Sequence, residues 1–89
     1  MTYEQKLDAV RKMLLQDWDP IGVRDEPAAQ DEYDAYLPAV LHLLQVRAPV
    51  DEVARCLTDI TTLEMGLSDV EERDRAVAAR LLALRLDRA

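Results

Sequence analysis

The chain predicts an all-α fold, a compact four-helix bundle-like single domain, on three observations. Apolar residues recur at intervals of three and four through most of its 89 residues. Two capping boxes, Thr2 with Gln5 and Ser68 with Glu71, have the form that opens a helix. Pro20 with Gly22, Pro49, and Gly66 punctuate the pattern at three places, and no stretch alternates apolar and polar residues as a half-buried strand does.

The first helix is expected over 3–18. Tyr3, Leu7, Val10, Leu14 and Trp18 lie on one stripe, widened by Met13 and Leu15. Pro20 lacks a backbone donor and disfavours helical geometry in the residue before it, so the helix must end near Asp17 to Asp19. Gly22 then permits a tight turn, and Ile21 and Val23 are expected to fold back on the core as a plug.

A second helix is expected over 29–46, entered through Pro27, with Tyr33, Tyr36, Leu37, Val40, Leu41 and Leu44 inward and Leu43 and Val46 broadening the face. Pro38 inside it would cost about 3 kcal/mol through a lost hydrogen bond and a ring clash. A kink or restart near Asp34–Pro38 follows, with Asp34 as the new cap and Pro38 at the fourth helical position.

Pro49 suits a first helical position, and Asp51 and Glu52 complete a negative first turn for a third helix over 50–65. Val53, Leu57, Ile60 and Leu63 form its stripe, beside Ala54 and Cys56. Thr58, Thr61 and Thr62 make it a mediocre helix former that depends on packing. Gly66 should end it in a left-handed turn with Leu67 folding back. The fourth helix, over 69–87, turns Val70, Val77, Leu81 and Leu84 inward, which leaves Leu82 and Leu86 as a surplus. Its arginines are expected to pair with nearby acids in the first half, with Arg85 and Arg88 nearly alone in the last turn.

The formal charge is −7, and it is uneven. From Asp17 to Asp34 seven acids face Arg24 alone, which makes that segment −6. So negative a surface repels nucleic-acid phosphates and anionic lipid, and suits either a basic protein partner or simple solubility. A single cysteine forms no intramolecular disulfide, which fits a reducing compartment. The N-terminus carries no apolar signal core, and no apolar run approaches the ~20 residues of a membrane span. A cytoplasmic location is the expectation.

Catalytic and metal constellations do not assemble. Asp17, Asp19, Gly22 and Asp25 match four places of a calcium-binding loop, but Pro20 and Ile21 stand at the fourth and fifth places and Ala28 replaces the bidentate glutamate. One histidine, His42, and one cysteine, Cys56, cannot make a zinc set. Cys56 lies among apolar positions where thiols are inert, and Ser68, the only serine, is already a cap. No enzyme, cofactor or metal is expected. Trp18, Tyr33 and Tyr36 have two readings: core packing with polar ring atoms at the surface, or an aromatic patch rimmed by Asp19, Asp31, Glu32 and Asp34 that binds a basic partner.

Trp18-Asp19-Pro20-Ile21-Gly22-Val23, then Asp31-Glu32-Tyr33-Asp34 with Tyr36, then Leu43-Leu44 and Glu64-Met65-Gly66-Leu67 resembles a family of small bacterial all-helical proteins of unknown function. The resemblance spans about Leu14 to Leu67. It implies the helical fold and a bacterial cytoplasmic origin, and it brings no catalytic mechanism. Sequences of this look sometimes resemble small acidic immunity partners of bacterial toxins.

The leading functional expectation is therefore an acidic protein-binding module, in its most specific form an immunity protein that blocks a basic toxin surface through Asp19, Asp31, Glu32, Asp34, Tyr33 and Tyr36. The alternative is a structural homodimer formed through the surplus leucines of the C-terminal helix. A small ligand-binding protein or enzyme using carboxylates near Tyr33 and Tyr36 ranks third.

Overall fold

In a computed structural model, residues 2–64, 66, 71–84 and 86 are described, and they are all-α, with four α-helices and no strand. None of these helices is long and apolar enough to cross a membrane. Ser68, Leu67, Val70, Arg85 and Arg88 lie outside the described residues, so the second capping box does too.

Helix α1 (Tyr3–Met13) opens with the expected capping box: Thr2 Oγ1 accepts from the Gln5 amide at 3.1 Å, and Gln5 Oε1 accepts from the Thr2 amide at 2.9 Å. It continues into a wider π-helical turn, Leu14–Trp18, which the Asp19 amide closes by donating to the Leu14 carbonyl at 2.7 Å. Leu14, Leu15 and Trp18 are buried there, whereas Gln16 and Asp17 face out. Tyr3, placed on the inner stripe by spacing, is 54% exposed.

The second helix is much shorter than its periodicity suggests. Two 3₁₀ turns, Pro27–Ala29 and Asp34–Tyr36, precede α2 (Leu37–Gln45). Had the helix run from residue 29, Pro38 would have removed the bond to the Asp34 carbonyl and pressed its ring against it. The restart instead sets Pro38 in the first turn of α2, where an amide has no intrahelical partner. The restart falls where expected, but Asp34 is not its cap, because its carboxyl turns toward Arg11.

α2 ends with Arg47 in the left-handed region, φ 54°, a place usually taken by glycine. The Arg47 and Ala48 amides close the end by donating to the carbonyls of Leu44 and Leu43. Pro49 is extended and precedes α3 (Val50–Asp59), so it flanks the helix rather than beginning it. A second π-helical turn follows, Ile60–Glu64, and Gly66 has the expected left-handed φ, 70°.

That second wide turn explains a reversal of faces. Thr61 is buried and Leu63 is 79% exposed, opposite to what α-helical spacing predicts, because a π turn shifts the register of the residues it contains. In α4 (Glu71–Leu82), Val77, Ala78 and Leu81 are buried. The Leu84 amide donates to the Leu81 carbonyl in a turn just past the helix, and Leu86 joins the core. Leu86 is thus not part of an outward surplus, and Leu82 is half-buried.

α3 packs on α4, α1 on α2, α2 on α3, and the π turn after α1 on α4. Several ion pairs tie different elements together. Arg75 reaches Asp51 at 2.6 Å and Arg80 reaches Asp17 at 3.6 Å, so these α4 arginines find acids on other elements rather than on their own helix.

Candidate functional site

The largest buried side chains, Trp18 and Tyr33, meet with ring centroids 5.2 Å apart and planes tilted by 58°. Such tilted pairs are favoured by the ring quadrupoles. Each ring carries one polar atom, and each polar atom finds an aspartate. Trp18 Nε1 donates to Asp74 Oδ1 at 2.9 Å, and the Tyr33 hydroxyl donates to Asp19 Oδ1 at 2.9 Å.

Asp19 sits in the left-handed region, φ 34°, which aspartate tolerates better than most residues. From there its carboxyl accepts the Val23 amide at 2.7 Å and the Arg24 amide at 3.1 Å, and the Ile21 amide donates to the Tyr33 hydroxyl at 3.3 Å. The Gly22 amide donates to the Asp19 carbonyl at 3.2 Å, with glycine in the left-handed region as the turn requires. Burial pushes the Asp19 carboxyl up, but bonds from the Val23 amide, the Tyr33 hydroxyl and the Arg24 amide outweigh it and hold the group below the usual carboxylate value. Burial, helped by Asp19, raises the Tyr33 hydroxyl well above its ordinary value.

Asp74 has a different setting. It is fully buried on α4, and its carboxyl accepts from Trp18 Nε1, from Thr58 Oγ1 at 3.0 Å and from Thr61 Oγ1 at 3.3 Å. The single Thr61 hydroxyl proton has the Leu57 and Thr58 carbonyls as alternatives. Arg73 Nε stands 3.8 Å from Asp74 Oδ1. Both π turns converge here, one supplying Trp18 and the other Thr61. Sequence reasoning missed this residue because Glu71-Glu72-Arg73-Asp74-Arg75 reads as a solvated charge run. The one signal available was its place in the helix, three residues before the inward Val77.

The six residues expected to bind a partner do not share one surface. Tyr33 is only 1% exposed, so it cannot present its ring, and Asp19 closes a loop around it. Asp34 holds Arg11 through two bonds, Nε to Oδ1 at 2.8 Å and Nη2 to Oδ2 at 3.0 Å, while Arg11 also donates to Asp8. The Asp34 bond, acting against burial, raises the Arg11 pKa. Tyr36 is half-buried against the core, and only Asp31 and Glu32 are exposed. The plug expected of Ile21 and Val23 is half formed, for Val23 packs on the core and Ile21 is 44% exposed.

Among the described residues no three His, Cys, Asp or Glu side chains gather as a metal site. His42 is exposed. Cys56 is half-buried, and burial, with Asp59 nearby, raises its thiol pKa and so keeps the reactive thiolate scarce. Each of the two aspartates accepts from the polar atom of a buried ring, Trp18 or Tyr33, and no buried side-chain polar atom among the described residues is left without a partner.

In comparisons with known proteins, no family model matches the chain, and no curated protein or solved structure matches it.

Proposed function

We propose that the protein is a small acidic protein-binding module whose exposed carboxylates between Asp25 and Glu32 face a basic surface on a partner protein. The observation that carries this reading is the contrast within the acidic segment. Asp19 and Asp34 are held by partners within the fold and Asp17 pairs with Arg80 at the surface, whereas Glu26, Asp31 and Glu32 are exposed and form no ion pair among the described residues. The Asp25 side chain is 94% exposed, and among the described residues its one ion-pair contact is Arg24 Nε at 3.8 Å. Exposed like charges held close together raise the local potential, which speeds association with a basic surface and sharpens its selectivity. Half-buried Tyr36 is the aromatic of this region that keeps an accessible edge. An immunity role, blocking the basic site of a toxin, is the specific form suggested by the family resemblance.

The test is capture from native cells with the wild type and with a variant carrying Asp25→Asn, Glu26→Gln, Asp31→Asn and Glu32→Gln. The expected result is one partner held by the wild type, released by salt and lost by the variant, whose thermal melting is unchanged. An empty capture, or a partner bound equally by the variant, would remove the acidic surface as the basis of function.

A further inference from the structure

The chain leaves the core at Trp18 and returns to it at Tyr33, and the centroids of these two rings stand 5.2 Å apart. Tyr33 lies 14 residues beyond Asp19, so the stretch between them has the length and the closed neck of an Ω-loop. Among the described residues none between Pro20 and Glu32 is buried, and Val23 is the one side chain of that stretch that packs on the core. The backbone bonds of the loop join residues three apart: Gly22 donates to Asp19 at 3.2 Å, Glu26 to Val23 and Ala29 to Glu26 at 3.0 Å, and Glu32 to Ala29 at 3.1 Å. Gln30 Nε2 links two of these turns by donating to the Arg24 and Glu26 carbonyls at 3.0 and 2.9 Å. Arg24 Nη1 reaches back to the Gln16 carbonyl at a long 3.4 Å.

We propose that residues 20–32 open as one unit while the helices stay folded, with the Tyr33 hydroxyl and the Asp19 carboxylate as the latch. The Tyr33 hydroxyl accepts from the Ile21 amide and donates to Asp19, whose carboxyl also accepts the Val23 and Arg24 amides. These three amides therefore share one support, and hydrogen bonds joined in this way strengthen one another. Opening at the latch leaves the Trp18 and Tyr33 rings packed, so it exposes little apolar surface and costs far less than unfolding the helices. The exposed carboxylates of Asp25, Glu26, Asp31 and Glu32 all ride on this loop, and the latch sets whether they are presented in one arrangement. A basic partner that takes the closed form would hold the latch shut. The inference goes beyond the acidic binding surface, and its test needs no partner.

Amide hydrogen exchange of the full ¹⁵N-labelled chain in zero to low urea tests the proposal, at a pH where exchange reports the opening equilibrium. The Ile21, Val23 and Arg24 amides are expected to share one opening constant, at least about tenfold larger than that of the Leu41 and Leu57 amides in α2 and α3 and unchanged by urea below the unfolding transition. Tyr33→Phe removes the hydroxyl and should raise all three by about fivefold. Val53→Ala, at a fully buried position of α3, should speed the Leu57 amide by about tenfold or more and leave the loop amides as they are, because the closed and the open loop carry the same cavity. Three unrelated opening constants, or no acceleration by Tyr33→Phe, would overturn the latch. Loop amides accelerated by urea or by Val53→Ala as much as Leu57 would show that the loop opens only with the whole fold, and would overturn the separate unit.

Discussion

Asp19 and Asp74 do the same job in opposite ways. Each accepts a hydrogen bond from one ring of the Trp18–Tyr33 pair. Asp19 collects the rest of its donors from backbone amides four and five residues along the chain, in a loop that solvent partly reaches. Asp74 is shut away from solvent, and its side-chain donors lie 13, 16 and 56 residues away. A local clasp can form as soon as its turn forms. A buried carboxyl held by three separate elements is stable only when all three are assembled, and it makes their wrong arrangement costly.

The sharpest way to break the comparison is at the buried member. Asp74→Ala leaves the Trp18 and threonine donors without their acceptor and should remove about 3 to 5 kcal/mol, a large share of the roughly 4 to 13 kcal/mol expected for a chain of this length. Asp74→Asn should cost less, because its oxygen can still accept from Trp18 while its amide donates to the threonine hydroxyls, which can accept. Urea denaturation followed by Trp18 fluorescence measures both. Equal losses for Ala and Asn would show that hydrogen bonding is not what matters at Asp74.

A smaller effect is expected at the loop. Tyr33→Phe keeps the ring and removes its bond to Asp19, at a cost of about 1 kcal/mol. Acid should expose the same clasp. Since the folded state lowers the Asp19 pKa, Asp19 adds stability that is complete above the unfolded value near 3.9 and disappears as pH falls through the lower folded value. Urea midpoints measured from pH 7 to pH 3 should therefore fall more steeply for the wild type than for Asp19→Asn. Parallel curves would mean that the loop amides contribute nothing through that charge.

The smallest effect belongs to the second π turn. Leu63→Gln, at a surface position, should change stability by no more than about 0.5 kcal/mol, whereas Thr61→Val, two residues earlier, removes a buried hydroxyl that faces Asp74 and should cost about 1 kcal/mol. A larger loss at Leu63 than at Thr61 would contradict the reversed faces of this turn.

Much of the fold is legible in the sequence because it rests on neighbours. Thr2 and Gln5 cap α1 from three residues apart, Pro38 forces a restart wherever the chain goes next, and Gly22 and Gly66 adopt the left-handed turns their places require. The candidate surface was legible only in part. Seven acids between Asp17 and Asp34 are plain to count, but which of them have partners depends on Arg11 and Arg80, supplied by other segments, and on Tyr33, 14 residues from Asp19.

By itself, then, the sequence determined the helical class, the capped start of α1, the restart near Pro38 and the tight loop after Trp18, since these follow from backbone geometry and hydrogen bonds within a few residues. The tertiary structure alone decided that both Trp18 and Thr61 stand in π turns, that Thr61 faces in and Leu63 out, that Leu86 enters the core, and that Asp74 is buried. The reason is that a wide turn or a buried carboxyl is unfavourable locally, and becomes stable only when distant elements supply the packing and the donors that offset its cost.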